Sequence, residues 1–458
     1  MSILLKPLAA LFLYGTIILS GYFFATQIGV KRELEKIGVG ILVATYSITF
    51  FAFLLYSYFA VRYTLINLII LILVVLSITS IPFFLSLKKN NIKFKINLDL
   101  LSNQLKSLIP KYDVLFLIFL VSIPVTFTCI QNIHWPVVDW DAVALYDYRA
   151  KVFSISGGME DGISRGYFLH YPLYTSLLHT FSYLFNLETV RTWYSIIYIA
   201  TLFIFYELLK RNVSTKRALI GVFLLAISPR IFQHSQMTYT NFPHAVYLSL
   251  GYIYLWEWFK KGEKLDIFIG GLLVAGSMWI RLTEPLWLPT LLIILVGIWK
   301  RKSQWKISLF TILLILFLRQ PWTSFVKLHD QLDISNPLQI GVGLQLPTNP
   351  NDYLIRFKEV SYFFFSSVYP LFSQYVPSLV IASLYALYKE KWHEVFEYLN
   401  FLLLVLFIFS GIFLFSFQFN GWKDIPDSAA RMSMFLLPLS VYLIMKSDLW
   451  SIPIKKTK

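Results

Sequence analysis

A chain of 458 residues, 57% of them hydrophobic and only 14% charged, is not an ordinary soluble protein, for which roughly 25% charge is usual. The net charge of +15 does not mark a nucleic-acid binder. The basic residues fall in short loops between apolar runs, the distribution left by membrane insertion. Cys129 is the only cysteine, which excludes an intrachain disulfide and argues against a thiolate metal cluster.

Apolar runs of membrane-crossing length recur along the chain and predict an all-α polytopic membrane protein of about 13 transmembrane helices. The expected spans lie near 8–29, 37–61, 63–87, 113–130, 191–209, 218–233, 240–259, 265–281, 284–299, 305–320, 366–388, 396–417 and 431–446. Lys6 before an apolar run gives the N-terminus a faint signal-peptide character. The run from Pro7 to Gly29 exceeds a usual signal core, so a retained span is expected.

Lys88, Lys89, Lys93, Lys95, Lys106 and Lys111 mark one cytoplasmic loop, and Lys210, Arg211, Lys216 and Arg217 another. Three apolar segments separate them, an odd number, so one should not cross. Pro172 to Leu187 is the candidate. As a helix it would reach roughly 24 Å, short of a hydrocarbon core of about 30 Å. It is expected to be interfacial or re-entrant, leaving 131–190 on the outer side. Later basic loops (Lys260, Lys261, Lys264; Lys300, Arg301, Lys302; Lys389, Lys391) then fall inside. The outer regions become 131–190, 321–365 and 418–430, with the N-terminus outside.

Lysine dominates the inner loops in this arrangement. Arginine gathers outside or at outer span ends, as Arg62, Arg149, Arg165, Arg191, Arg230, Arg281, Arg319, Arg356 and Arg431. The planar guanidinium fork suits phosphate, although snorkelling to lipid headgroups places arginine there as well.

The stretch His134 to Phe153 carries three acids beside the bilayer, where a carboxylate points to function. Asp141 is expected to open an amphipathic helix running to Phe153, as a catalytic acid or as an N-cap; Asp139 is the alternative acid. Asp147 and Lys151 have the i,i+4 order of a structural ion pair. Trp135 and Trp140 suit interfacial anchoring, or stacking on a sugar. His134, His170, His179, His234 and His244 lie in or near outer segments, without the spacing of a helical metal pair. The region 321–365 reads as an irregular loop, long enough to cover a site. Asn212-Val213-Ser214 has the form of a glycosylation acceptor but falls inside.

Four patches in order carry a resemblance: the acidic motif Asp139-Trp140-Asp141 to Lys151; Tyr171-Pro172-Leu173-Tyr174 followed by Leu184-Phe185-Asn186; Glu188 to Arg191; and Ser228-Pro229-Arg230 to Pro243. Across residues 113–300, with an echo near 420–440, the chain resembles the GT-C superfamily of membrane glycosyltransferases. The nearest branch is the bacterial one related to protein O-mannosyltransferases and lipid A aminoarabinose transferases. Asn241 stands where that family often has an acid, and Met432 where an aromatic usually follows the arginine corresponding to Arg431.

The resemblance implies transfer of a sugar from a polyprenyl-phosphate carrier, at the outer face, to a glycan, lipid or protein acceptor. It implies Asp141 or Asp139 as base, and Arg431, Arg149 and Arg191 at the donor phosphate. His170, Tyr171, Trp140, Tyr146 and Asn241 are the expected substrate contacts. No cofactor is fixed; a divalent metal stays open, with no metal ligand assigned. The regions implied are 1–112, three spans and a cytoplasmic loop; 113–320, a catalytic core with outer loop 131–190; and 321–458, an outer loop and the last spans. A flippase of lipid-linked saccharides, or a surface-polysaccharide polymerase or ligase, is the competing reading. No internal repeat supports the flippase, and 321–365 is poor in the His and Arg expected of a polymerase.

Overall fold

The computed structural model describes residues 5–89, 112–160, 169, 171–281, 284–329, 348–418 and 430–450. His170, Arg165, Lys93, Lys95, Lys106 and Lys111 lie outside the described residues, as does 330–347. The described chain is helical without strands. Eight of its helices are long and apolar enough to cross a membrane. They coincide with the expected spans nearest 8–29, 37–61, 63–87, 113–130, 191–209, 305–320, 366–388 and 396–417. This is an all-α integral membrane architecture.

The chain divides into two compact units. The first comprises residues 1–168, 173–227 and 235–239. Its helices are α1 (Leu5–Gln27), α2 (Glu33–Phe59), α3 (Leu65–Lys89), α4 (Tyr112–His134), α5 (Tyr148–Ser156), α6 (Tyr174–Leu184), α7 (Thr192–Lys210) and α8 (Thr215–Ala226). Helix α2 is its centre, packed against α1, α6 and α7. At the crossing of α1 and α2, a Cβ on Gly21 or Gly40 would collide with the backbone of the opposite glycine. Small residues allow this approach, which replaces the missing hydrophobic drive between helices in lipid with close backbone packing. Ser214 caps α8 by accepting from the Arg217 amide at 3.5 Å.

The second unit comprises residues 169–172, 228–234 and 240–458. It holds α9 (Pro229–His234), α10 (Asn241–Lys261), α11 (Lys264–Ile280), α12 (Glu284–Lys300), α13 (Trp305–His329), α14 (Pro350–Phe363), α15 (Tyr369–Phe372), α16 (Val376–Tyr388), α17 (Trp392–Gln418) and α18 (Leu436–Lys446). Helix α10 is buried almost all round, with α11, α12 and α18 against it. Its C-terminal end carries a buried ionic cluster. The Lys446 ammonium meets both Glu397 oxygens at 2.7 and 2.8 Å. Lys261 and Tyr442 meet Glu257 at 2.5 and 2.6 Å. Two carboxylates and two ammonium groups leave the cluster neutral, the condition for burying charge among apolar helices.

The expected irregular loop 321–365 requires correction at both ends. Helix α13 continues through Pro321 to His329, and α14 occupies Pro350–Phe363. Pro321 removes one ladder bond, but Pro321, Trp322, Phe325 and Val326 are buried, and that apolar face holds the helix through the break. Pro350 sits at the first helical turn, and Asn349 caps it by accepting from the Asn351 amide at 3.0 Å.

Candidate functional site

In the first unit, the segment that follows α4 carries the acids. Residues 136–139 belong to no helix or strand, and helix begins at Trp140, the Val143 amide donating to the Asp139 carbonyl at 2.9 Å. The alternative reading of Asp141 as a capping residue is corrected: it is already helical, with φ −62° and ψ −30°, and its side chain makes no cap bond. The turn is one residue wider than an α-helix. Ala142–Asp147 form a π-turn that runs directly into α5, which ends at Gly157 with φ +76°. Such turns cluster at functional sites because they break the regular side-chain register.

Two clamps hold this segment. The Arg191 guanidinium, at the start of α7, donates to the Pro136 carbonyl at 2.9 Å and to the Gln236 carbonyl. Asn132 on α4 donates to Ser195 Oγ and to the Ser235 carbonyl, both at 2.9 Å. Residues 136–139 and 235–236 are thereby fixed to the ends of α4 and α7. Burial raises the Asp139 carboxyl above the ordinary Asp range; the Arg191 charge opposes this and the Asp141 charge adds to it. Trp140, between the two acids, is 81% exposed.

The third acid is held in a different way. Asp147 is buried. Its Oδ1 accepts from Tyr183 Oη at 2.5 Å and lies 3.3 Å from His179 Nδ1, while Lys151 Nζ pairs with Oδ2 at 2.9 Å. The expected Asp147–Lys151 pair is thus present, inside a larger group. Burial alone would raise this carboxyl, but the hydrogen bond and charge of His179, then the bonds from Tyr183 and Lys151, hold it at about 2. The same contact with Asp147, together with burial, pushes the Tyr183 hydroxyl up. His179 is fully buried with Tyr194 edge-on 6.1 Å away, and its Nε2 meets no hydrogen-bond partner among the described residues.

Among the other expected site residues of this unit, Arg149 is fully buried. Its Nε donates to Ser176 Oγ at 3.0 Å, and its guanidinium lies 5.7 Å from the centre of the buried Tyr146 ring. In the second unit, Tyr171 lies under Arg281, the guanidinium 4.8 Å from its ring centre and 3.4 Å from its hydroxyl. Asn241 is buried in the first turn of α10, and Arg431 is part-exposed in the turn that leads into α18. The structure therefore brings Asp139, Asp141, Trp140 and Arg191 together at one end of the first unit. Tyr146 and Arg149 lie along the same helical segment.

His179 and Tyr183 had no assigned role, yet they were within reach of a sequence argument. They stand i,i+4 on α6, and a helix places such a pair on one face, here toward Asp147. Among the described residues no three His, Cys, Asp or Glu side chains form a group that could hold a metal. The chain matches no family model, no curated protein and no solved structure.

Proposed function

We propose that this chain is a membrane glycosyltransferase that moves a sugar from a polyprenyl-phosphate donor to a glycan, lipid or protein acceptor at the outer face. The observation that carries the reading is Asp139. It is a part-buried carboxylate with raised proton affinity, beside Asp141 and under the field of Arg191, on a segment whose start Arg191 holds at the Pro136 carbonyl. A base works best when its proton affinity is matched to the operating pH, and burial moves Asp139 in that direction.

In the reaction, the acceptor oxygen or nitrogen attacks the anomeric carbon as the bond from that carbon to the phosphate oxygen breaks. The acceptor proton passes to Asp139, or to Asp141 beside it, and the polyprenyl phosphate leaves with the negative charge. Cations stabilise that charge as it develops. Arg191, Arg149 and Arg431 are the cations proposed for this part. Trp140, Tyr146, Tyr171, Asn241 and His170 remain the proposed substrate contacts. No step is assigned to a metal.

The finer topology belongs to the same proposal. Helix α6 has 11 residues, roughly 16 Å of rise against a core of about 30 Å, which suits a re-entrant segment on the outer side. Helices α8 with α9, α10, α11, α12 and α18 supply the five further spans of a thirteen-span arrangement. A flippase would place its buried charges near the membrane midplane. The Glu257 cluster instead sits four residues from the end of α10, where Lys261 remains one-third exposed, and suits a structural clamp.

The test is transfer from radiolabelled polyprenyl-phosphate sugars in membranes carrying Asp139→Asn, Asp141→Asn or both. Loss of a general base lowers the rate by about 10²- to 10⁴-fold, and the expectation is a loss of that size in at least one single variant. Because Asp139 acts as its anion, kcat/KM should fall as pH drops through its raised value, placing the acid limb above 3.8. Undiminished transfer in the double variant overturns the assignment.

A further inference from the structure

In the first unit, the acids of residues 137–141 sit on the wrong side of their segment for a surface that faces water. Val138 and Trp140 are 63% and 81% exposed, while Asp139 and Asp141 beside them are half-buried. Carboxylates ordinarily take the solvent and large apolar side chains the interior. The inverted order is favourable where the medium outside the protein is itself partly apolar. We infer that the face from Trp135 to Val143 is a wedge seated in the headgroup–acyl boundary of the bilayer, in the leaflet reached by the C-terminal end of α4, and that its partner is lipid. The inference rests on the membrane architecture and not on the transferase reading.

Continuity with a span identifies that partner. Helix α4 is long and apolar enough to cross the membrane. It buries Pro124, Thr128 and Asn132 and packs against α7 and α8. Phe116, Phe119, Ile123, Phe127 and Ile130 are exposed, at steps of three and four that form one stripe, the face that a span gives to lipid. The stripe does not stop where α4 stops. Ile133, Trp135, Val138, Trp140 and Val143 stay exposed, and neither acid of that stretch joins them. A run of exposed apolar side chains outside a span marks a membrane or a partner surface, and its continuity with the lipid stripe of α4 selects the membrane. Two properties set the depth. Tryptophan concentrates at the membrane–water boundary, where one part of the ring is in an apolar medium and its N–H is still solvated. Residues 136–139 belong to no helix or strand, and such backbone needs water or protein for its polar groups, which bars it from lipid-exposed hydrocarbon. The wedge is therefore shallow, within reach of a water-borne reagent. Asp139 and Asp141 are held on its protein side at headgroup level. In the transferase reading, that is the level at which a membrane-borne substrate carries its polar head.

The experiment places a bimane fluorophore on single cysteines in a Cys129→Ser background, with the full chain in vesicles of phosphatidylcholine and phosphatidylglycerol. Val138→Cys, Trp140→Cys and Val143→Cys report on the wedge and Phe127→Cys on the lipid stripe of α4. Glu188→Cys, where the native side chain is 83% exposed, is the water-facing reference. The quenchers are phosphatidylcholine brominated near the headgroup, phosphatidylcholine brominated near the chain end, and aqueous iodide. The wedge sites should lose fluorescence to the headgroup-side bromines and to iodide, and little to the chain-end bromines. Phe127→Cys should respond to lipid bromine and not to iodide, and Glu188→Cys to iodide alone. Wedge sites quenched by iodide alone, as at Glu188→Cys, overturn the inference. Shielding from both kinds of quencher also overturns it, since a second copy or another protein would then cover the face. Val138→Cys and Val143→Cys keep the test decisive if Trp140→Cys does not fold. No transfer is measured, so failure of the wedge leaves the transferase reading standing, and failure of that reading leaves the wedge.

Discussion

The three acids Asp139, Asp141 and Asp147 differ because their surroundings differ. Asp147 accepts from Tyr183 and pairs with His179 and Lys151, so it stays ionised far below neutrality. Its carboxyl is held at about 2 against 3.8 in an open chain. A depressed carboxyl contributes stability that is complete above the open-chain value and fades as pH falls toward the folded one. Thermal unfolding in detergent should therefore show a loss between pH 3.8 and about 2 that Asp147→Asn abolishes. At neutral pH the same substitution should cost about 1–3 kcal/mol, because His179 and Tyr183 keep buried polar groups that a neutral amide satisfies less well. An unfolding midpoint unchanged by Asp147→Asn would remove this role. The sequence exposed the Lys151 half of the group, since i,i+4 pairing is local. Tyr183, 36 residues away, is joined only by the packing of α6 on α5. Asp139 shows the same limit: its charge was visible, but the burial that raises its proton affinity comes from tertiary structure.

At the scale of elements, apolar run length made the long helices legible, because a bilayer imposes that length. The π-turn was not legible. Ala142, Leu145, Tyr146, Arg149, Ala150 and Phe153 are buried, and their three-and-four spacing is what a plain α-helix would give. The irregular reading of 321–365 is overturned at its ends for a related reason: Pro321 sits inside a helix, and Asn349 and Pro350 start one rather than form a loop. Two tests belong here. Gly40→Leu should separate α1 from α2, since any Cβ there meets the Gly21 backbone; the expected result is a lower melting temperature in detergent, while Gly15→Leu, on the same α1 but meeting only the Leu11 side chain, should change little. In the second unit, Lys446→Met strands Glu397 without its ammonium partner. Breaking a buried pair costs about 3–5 kcal/mol, and the double variant Lys446→Met with Glu397→Leu should recover much of that loss. Equal damage from the single and double variants would argue against the ionic clamp.

For the whole molecule, the segregation of Lys from Arg orders the spans without reference to fold. The two outcomes at this scale differ in kind: eight helices meet the length and apolarity of a span, whereas the sidedness of the loops rests on charge alone. Cysteine labelling tests it, since Cys129 is the single native thiol. In a Cys129→Ser background, Trp140→Cys should react with an impermeant maleimide from the outer face, and Lys302→Cys only after the membrane is opened. Reaction of both from the same side would reverse the arrangement and move the acids away from an outer donor. Five expected spans correspond to helices that are short or polar for their length, such as α8 with 12 residues and α18 with 11. Their assignment depends on the partners that cover them, which hydropathy along one strand of sequence does not record.

The π-turn at 142–147 has a consequence for how this segment tolerates change in length. A π-turn is an α-helix carrying one surplus residue, so the chain here holds a single-residue frameshift in place. Deleting the exposed Val143 would let the turn close into a regular helix with its flanks still in phase, because the turn absorbs the surplus residue within itself. Deleting Ala150 from the regular helix α5 would instead turn everything before it by about 100° relative to everything after it. The expected outcome is that the first deletion leaves Asp139 and Asp141 on their present bearing and the second does not, which makes the phase of this helix, as much as its composition, a requirement of the site.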